Sequence, residues 1–164
     1  MLVLGIDPGT ATTGYGVVCE LPNGDLEAVD YGVITTPAHT PMPDRLHQLY
    51  NAMVALIAQH QPDAAAVEAL YFGKNVTTAI TVAQGRGVIL LALAQAGLPV
   101  REYTPAEVKQ TIAGYGNAEK EQMQEMIRQL LSLDELPRPD DAADGLGLAI
   151  THLNASRFER LSSE

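Results

Sequence analysis

The sequence predicts one α/β domain built on a five-stranded mixed sheet, with three antiparallel strands first and helices on both faces. Three observations carry this reading. Strand-like runs at 2–7, 13–21 and 26–35 follow one another with only turn residues between them. From Asp44 onward, helical periodicities alternate with short apolar strands, which implies added parallel strands with crossover helices. No Gly/Ser linker, repeat or low-complexity stretch divides the 164 residues, a length suited to a single core.

The elements follow in order. Leu2 to Asp7 reads as a buried strand, ended by the turn chemistry of Asp7-Pro8-Gly9-Thr10. Thr13–Leu21 and Leu26–Thr35 pair across Pro22-Asn23-Gly24-Asp25, a hairpin signal. From Asp44 to His60, Leu46, Leu49, Met53, Leu56 and Ile57 recur at helical spacing until Pro62-Asp63. Ala64–Leu70 is the most apolar strand. A long helix from Asn75 to Ala96 closes at Gly97, and Pro99–Tyr103 is the fifth strand. Thr104-Pro105-Ala106-Glu107 is a capping box with proline at the first helical position. Asn117 is expected to cap a helix through Leu131, and Pro139 to open a last helix reaching about Ser156. The domain is thus expected to occupy 1–157, with 158–164 as a short flexible tail.

Composition narrows the function. Hydrophobic residues at 46% and charged residues at 18% supply a core and show no disorder signature. Cys19 is the only cysteine, which excludes an internal disulfide or a Cys-rich zinc site and fits a reducing cytoplasm. The start shows no secretory signal pattern, and the apolar run from Val88 to Ala96 is about half a membrane span, so a cytoplasmic protein is expected. A net charge of −10 runs against a nucleic-acid binder unless a local basic patch sits on the acidic body.

Four carboxylates stand out. Asp7 ends the first strand, where an aspartate before Pro-Gly also serves a turn. Glu68 ends an apolar strand and is either a buried acid in need of a partner or a strand-end residue facing solvent. Asp141 and Asp144, three apart, share a helical face turned away from the apolar stripe of Ala142, Leu146, Ala149, Ile150 and Leu153. Capping explains one acid there, with Asp140 available for it; two more on one face suggest a shared ligand. Strand ends in such sheets are where ligands bind. If the last helix starts over that edge, the four acids converge and repel, and hard divalent cations relieve the repulsion. Two Mg²⁺ or Mn²⁺ ions there could activate water and stabilise the leaving oxygen of a phosphodiester.

These residues resemble the RuvC family of bacterial Holliday junction resolvases, within the ribonuclease H-like superfamily. The matching stretches are 4–10 with 13–17, Val67-Glu68 with Lys74-Asn75, and Gln84-Gly85-Arg86-Gly87-Val88. Val108-Lys109-Gln110-Thr111, 116–120, and Asp141-Ala142-Ala143-Asp144 through His152 complete a match over nearly the whole chain. The resemblance implies a homodimer that cuts four-way DNA junctions with Mg²⁺ or Mn²⁺, served by the branch-migration proteins RuvA and RuvB. Asp7, Glu68, Asp141 and Asp144 match the metal-binding catalytic carboxylates, and Lys109 and Lys120 match lysines that contact the DNA backbone. Tyr71, with Phe72 as a second candidate, matches an aromatic that stacks on junction bases, and the helix from Asn75 matches the dimer-forming helix. Lys74 and Arg86 join the two matched lysines as further candidates for DNA contact, against a plain reading as solvated surface charge.

Three other readings are open. Gly5-Ile6-Asp7-Pro8-Gly9-Thr10 also resembles the phosphate loop of actin-like ATPases, which need two such domains. A silent scaffold for branched DNA is the second, and an RNA-cutting relative a third. His39, His47 and His60 lack metal-ligand spacing, Cys19 reads as a small buried hydrophobe, and His152 as a surface histidine. The last residues, Phe158 to Glu164, carry no basic run. Junction binding is therefore expected to be weaker and more salt-sensitive than in basic relatives. A plot of log affinity against log salt measures this, and a flat line would contradict a phosphate-dominated interface.

Overall fold

The computed structural model describes residues 1–9, 11–70 and 76–163. Five strands, β1 (Leu2–Asp7), β2 (Thr12–Glu20), β3 (Leu26–Thr35), β4 (Ala64–Glu68) and β5 (Val100–Tyr103), form one sheet in the order β3-β2-β1-β4-β5. β1–β2 and β2–β3 pair antiparallel, while β4 joins β1 and β5 joins β4 in parallel. The helices are α1 (Met42–His60), α2 (Val76–Gln95), α3 (Pro105–Ala113), α4 (Lys120–Leu130) and α5 (Asp140–Ser162). The expected mixed five-stranded sheet is present, with its helices on both faces.

The two-residue period of the strands sorts the core into two layers. Leu4, Ile6, Val17, Ala65 and Val67 face α1 and α2, where Leu49, Met53, Ile89 and Leu93 are buried. Val3, Val18 and Ala66 face the other way and pack with Leu146, Ala149, Ile150 and Leu153 of α5, together with Val108, Ile112 and Ile127. By the same alternation Gly5 and Asp7 of β1, and Glu68 of β4, lie on the α5 face.

Helix α5 reaches that face because β1 and β2 carry glycine where its first turns cross them. A Cβ on Gly5 would stand 2.0 Å from the Gly145 carbonyl oxygen, and one on Gly14 would stand 1.8 Å from the Asp141 carbonyl oxygen. Gly16 and Gly145 are equally closed, with backbone atoms of Leu146 and Tyr15 at 2.5 Å from the missing Cβ positions. Backbone therefore lies on backbone along the first turns of α5, and Ala142, Ala143 and Gly147 keep its remaining sides small enough for α3 and α4 to cover it. The expected single apolar stripe understates this: Ala142, Ala143 and Gly145 through Leu153 are all buried.

Other boundaries differ for local reasons. Helix α1 begins at Met42, with Pro43 in its first turn, two residues before Asp44. Strand β4 stops at Glu68. Asn117 does not cap α4; Ala118 is buried, and Glu119 occupies the cap position without a side-chain bond. The capping box at Thr104 and Glu107 is present, with both reciprocal hydrogen bonds. Helix α5 continues through Ser162, so most of the expected tail is helical. Arg157 and Arg160 pair with Glu20, and Arg101 with Glu159, which ties that end to β2 and β5. His152 is buried rather than exposed: its Nδ1 lies 3.0 Å from the Tyr103 hydroxyl, and desolvation lowers its pKa. Cys19 is half-buried and His60 pairs with Asp30 at 2.9 Å.

Gly5→Ala tests the backbone seam. The added methyl has only backbone to meet, so the variant should lose about 3 kcal/mol or more by urea denaturation.

Candidate active site

The carboxyl edge of the sheet brings the acids together. Ile6 pairs with Val67 across the parallel β1–β4 ladder, so the next residues, Asp7 and Glu68, end adjacent strands side by side. Asp7 also pairs with Gly14, whose closed contact with the Asp141 backbone seats the start of α5 directly above. Asp141 and Asp144 then project from the first turns of that helix. Carboxylate oxygens of Asp7, Asp141 and Asp144 lie within 4.8 Å of one another, the spacing of a shared cation. Thr13, buried beneath the β1–β2 loop, donates to the Gly9 carbonyl at 2.8 Å and holds the turn after Asp7.

The electrostatics report an uncompensated cluster. Asp7 is raised to about 8, first by burial and then by its hydrogen bond and repulsion with Glu68. Asp144 is raised to about 7, again by burial first and then by the Asp7 charge. Asp144 is exposed by surface area, yet protein crowds it on most sides, which accounts for the shift. These four acids have no arginine among them to balance their charge in the described residues. A divalent cation would supply that balance, and carboxylate oxygens are the ligands hard cations take.

The cations stand to one side. Lys109 and Lys120 line the same cleft as Glu68 and Asp144. Lys120 is exposed and forms an ion pair with Asp140; that hydrogen bond raises its pKa, with Asp144 and Asp141 adding to it. Asp140 is thereby taken out of the capping role expected for it: Pro139 holds the cap position of α5, and the Asp140 carboxylate turns to α4, where it accepts from Gln124 at 2.7 Å.

Arg86 does not line the cleft. Its guanidinium pairs with Glu102 of β5 and its Nε donates to the Glu68 carbonyl at 3.4 Å, so it braces the end of β4. Tyr71, Phe72 and Lys74 lie outside the described residues. Sequence reasoning missed Gln124 and the Asp140–Lys120 pair, for which spacing along the chain carries no signal, because the three residues meet only where α4 crosses the start of α5.

The raised acids make a stability prediction for the metal-free protein. Between the unfolded value near 4 and the folded value near 8, the native state holds a proton that the unfolded chain has lost, so stability falls as pH rises through that window. In EDTA at pH 8.5, Asp7→Asn should therefore melt higher than the unsubstituted protein, by roughly 2–8 °C. The gap should close toward pH 4. A variant that melts lower at pH 8.5 would mean that Asp7 is compensated in the fold.

The family model of crossover junction endodeoxyribonuclease RuvC matches residues 3–152. A crossover junction endodeoxyribonuclease RuvC of Chloroflexus aurantiacus is 62% identical over 152 residues, covering 93% of this chain and 92% of that protein. The RuvC structure from Thermus thermophilus superposes with a TM-score of 0.90 at 35% identity, over 97% of both chains. The T. thermophilus RuvC in complex with Holliday junction substrate gives 0.88 at 33% identity, over 96% of both. Strand order, the acid cluster and these matches agree, and the chain belongs to the RuvC family of crossover junction endodeoxyribonucleases, with a ribonuclease H-like fold.

Proposed function

We propose that this protein resolves four-way DNA junctions as a homodimer, hydrolysing two symmetry-related phosphodiesters with Mg²⁺ or Mn²⁺, two ions to a site. The observation that carries the reading is the cluster of Asp7, Asp141 and Asp144 with Glu68 at their side, two lysines across the cleft and, among the described residues, no arginine within it. Divalent ions bound there supply an activated water and charge stabilisation at the leaving oxygen. Asp7 and Glu68, fixed on adjacent strand ends, hold one side of the scissile group, and Asp141 and Asp144 hold the other from the rigid start of α5. Lys109 and Lys120 contact the phosphate backbone, which lets an acidic body bind DNA through a local basic rim. The actin-like reading loses its ground, since the Asp7 carboxylate sits in an acid cluster with Asp141 and Asp144.

The dimer reading rests on α2. Ile80, Gly87 and Leu91 span about 40° around the helix axis and face away from the sheet. Ile80 is 57% and Leu91 53% exposed, and a Cβ on Gly87 would meet nothing within 4 Å. The opposite side, with Ala79, Gly85, Ile89, Ala92 and Leu93, is buried against α1 and the sheet. With 20 residues and a mean hydropathy of 1.5, α2 is long and apolar enough to cross a membrane by composition. Its packed inner side and the Arg86–Glu102 pair fit a layer helix whose outer stripe meets a second copy. Twofold symmetry then presents two sites to a twofold substrate. The family resemblance also supports work in the cytoplasm alongside RuvA and RuvB.

The test is a synthetic immobile four-way junction with a linear duplex control, in Mg²⁺, Mn²⁺ and EDTA. Paired nicks are expected in the junction alone, lost in EDTA and lowered at least about 10³-fold by Asp7→Asn or Asp144→Asn. Binding without cleavage in either metal would return the protein to the scaffold reading. Leu91→Asp should shift the mass from dimer to monomer by light scattering and uncouple the paired nicks. A variant that remains dimeric would move the interface away from α2.

A further inference from the structure

The cleft beside the carboxylates continues into a cavity of about 230 Å³ between α3, α4 and α5. Its mouth carries Glu68, Asp144, Lys109 and Lys120, all suited to phosphate and cation. Its interior is different in kind: Val108, Met123, Ile127 and Gly147 make an apolar wall directly behind the charged groups. A phosphodiester and its metal ions gain nothing from such a surface, because both are strongly hydrated. The part of a DNA strand that does gain is the flat apolar face of a base. The volume lies below the roughly 300–1,000 Å³ of sites for drug-sized ligands, which suits one ring system and not a whole nucleotide. Met123, half-buried at the wall, offers a thioether that packs well against aromatic rings.

Gln124 stands at the rim with its amide already oriented. Its Nε2 donates to Asp140 Oδ1 at 2.7 Å, and Asp140 is itself paired with Lys120. A carboxylate only accepts, so the amide nitrogen must face Asp140, and Oε1 and the second N–H are left for another partner. That donor–acceptor pair is what glutamine uses to read a base edge. A base beside a branch point has lost a stacking neighbour, so drawing it aside costs less than in continuous duplex.

Building on the junction-cleaving reading, we propose that this cavity receives one unstacked base of the strand being cut, next to the scissile phosphate, and that Gln124 reads its edge. Gln124 and Met123 then set the sequence preference of cleavage, and the Asp140–Lys120 pair couples base reading to phosphate contact. Lys120 touches the backbone, Asp140 holds Lys120, and the same carboxylate holds the reading amide.

The experiment uses the full-length protein, Mn²⁺ and a library of four-way junctions randomised at the two positions flanking each cut, with nicks mapped by sequencing. The unsubstituted protein is expected to favour particular bases on one side of the cut by roughly tenfold, the scale of a good edge contact. An abasic residue at that position should slow cleavage by a similar factor while junction binding stays within about twofold. Gln124→Ala should flatten the preference at that position to within about threefold and leave the other position unchanged. Met123→Phe, which fills the recess, should erase the penalty of the abasic residue. Thermal melting checks each variant, and Gln124→Asn, one methylene shorter, gives the same readout should the alanine variant fail to fold. An unaltered profile in the Gln124 variants, or indifference to abasic residues on both sides of the cut, would overturn the proposal. Failure of the unsubstituted protein to cut any junction would instead overturn the resolvase reading on which it stands.

Discussion

The contact on which the rest depends is the seam where the first turns of α5 lie backbone to backbone on β1 and β2. Gly5, Gly14 and Gly16 leave room on the sheet, and Gly145 leaves room on the helix. The seam does two jobs at once. It closes the core on that face, since Leu146, Ala149, Ile150 and Leu153 can reach Val3, Val18 and Ala66 only at this separation. It also sets the height of Asp141 and Asp144 above Asp7. A helix lifted by one side-chain layer would carry its carboxylates beyond the reach of a common cation, with the fold otherwise intact. Packing and chemistry here share one geometric requirement, and a substitution in the seam strikes both.

That closeness has a cost, and the fold leaves it standing. Four acids meet at the edge of a protein whose net charge is already −10, and burial pushes Asp7 and Asp144 far above the usual carboxylate range. The nearby cations do not quench it: Arg86 is spent on Glu102, and Lys120 on Asp140. A site in this state would be completed from outside by divalent cations, whose charge relieves the repulsion. Lys109 and Lys120 line the rim of the cleft and do not stand among the acids, so an acidic body still presents positive charge beside its site.

Several features were legible in the sequence because their causes are local. Strand alternation, the hairpin turn and the capping box at Thr104 each rest on residues within one element, and all three appear as expected. The i, i+3 spacing of Asp141 and Asp144 needed only helical geometry. Where the reading failed, the cause was a partner distant in sequence. His152 is buried because Tyr103, 49 residues away, bonds its ring. The helix expected to end near Ser156 runs on to Ser162 because Glu20 and Arg101 hold its last turns.

The sequence by itself determined the fold class, the strand and helix order, and the identity of the four acids, because periodicity, turn residues and residue type are properties of the chain alone. Tertiary structure decided that Asp7 and Glu68 end neighbouring parallel strands, that α5 sits low enough to join them, and that Gln124 faces the cleft with its amide fixed. The physical reason is range. Local preferences act over a few residues, whereas register, helix height and charge pairing are settled only when segments more than a hundred residues apart compete for the same space and the same counter-charge.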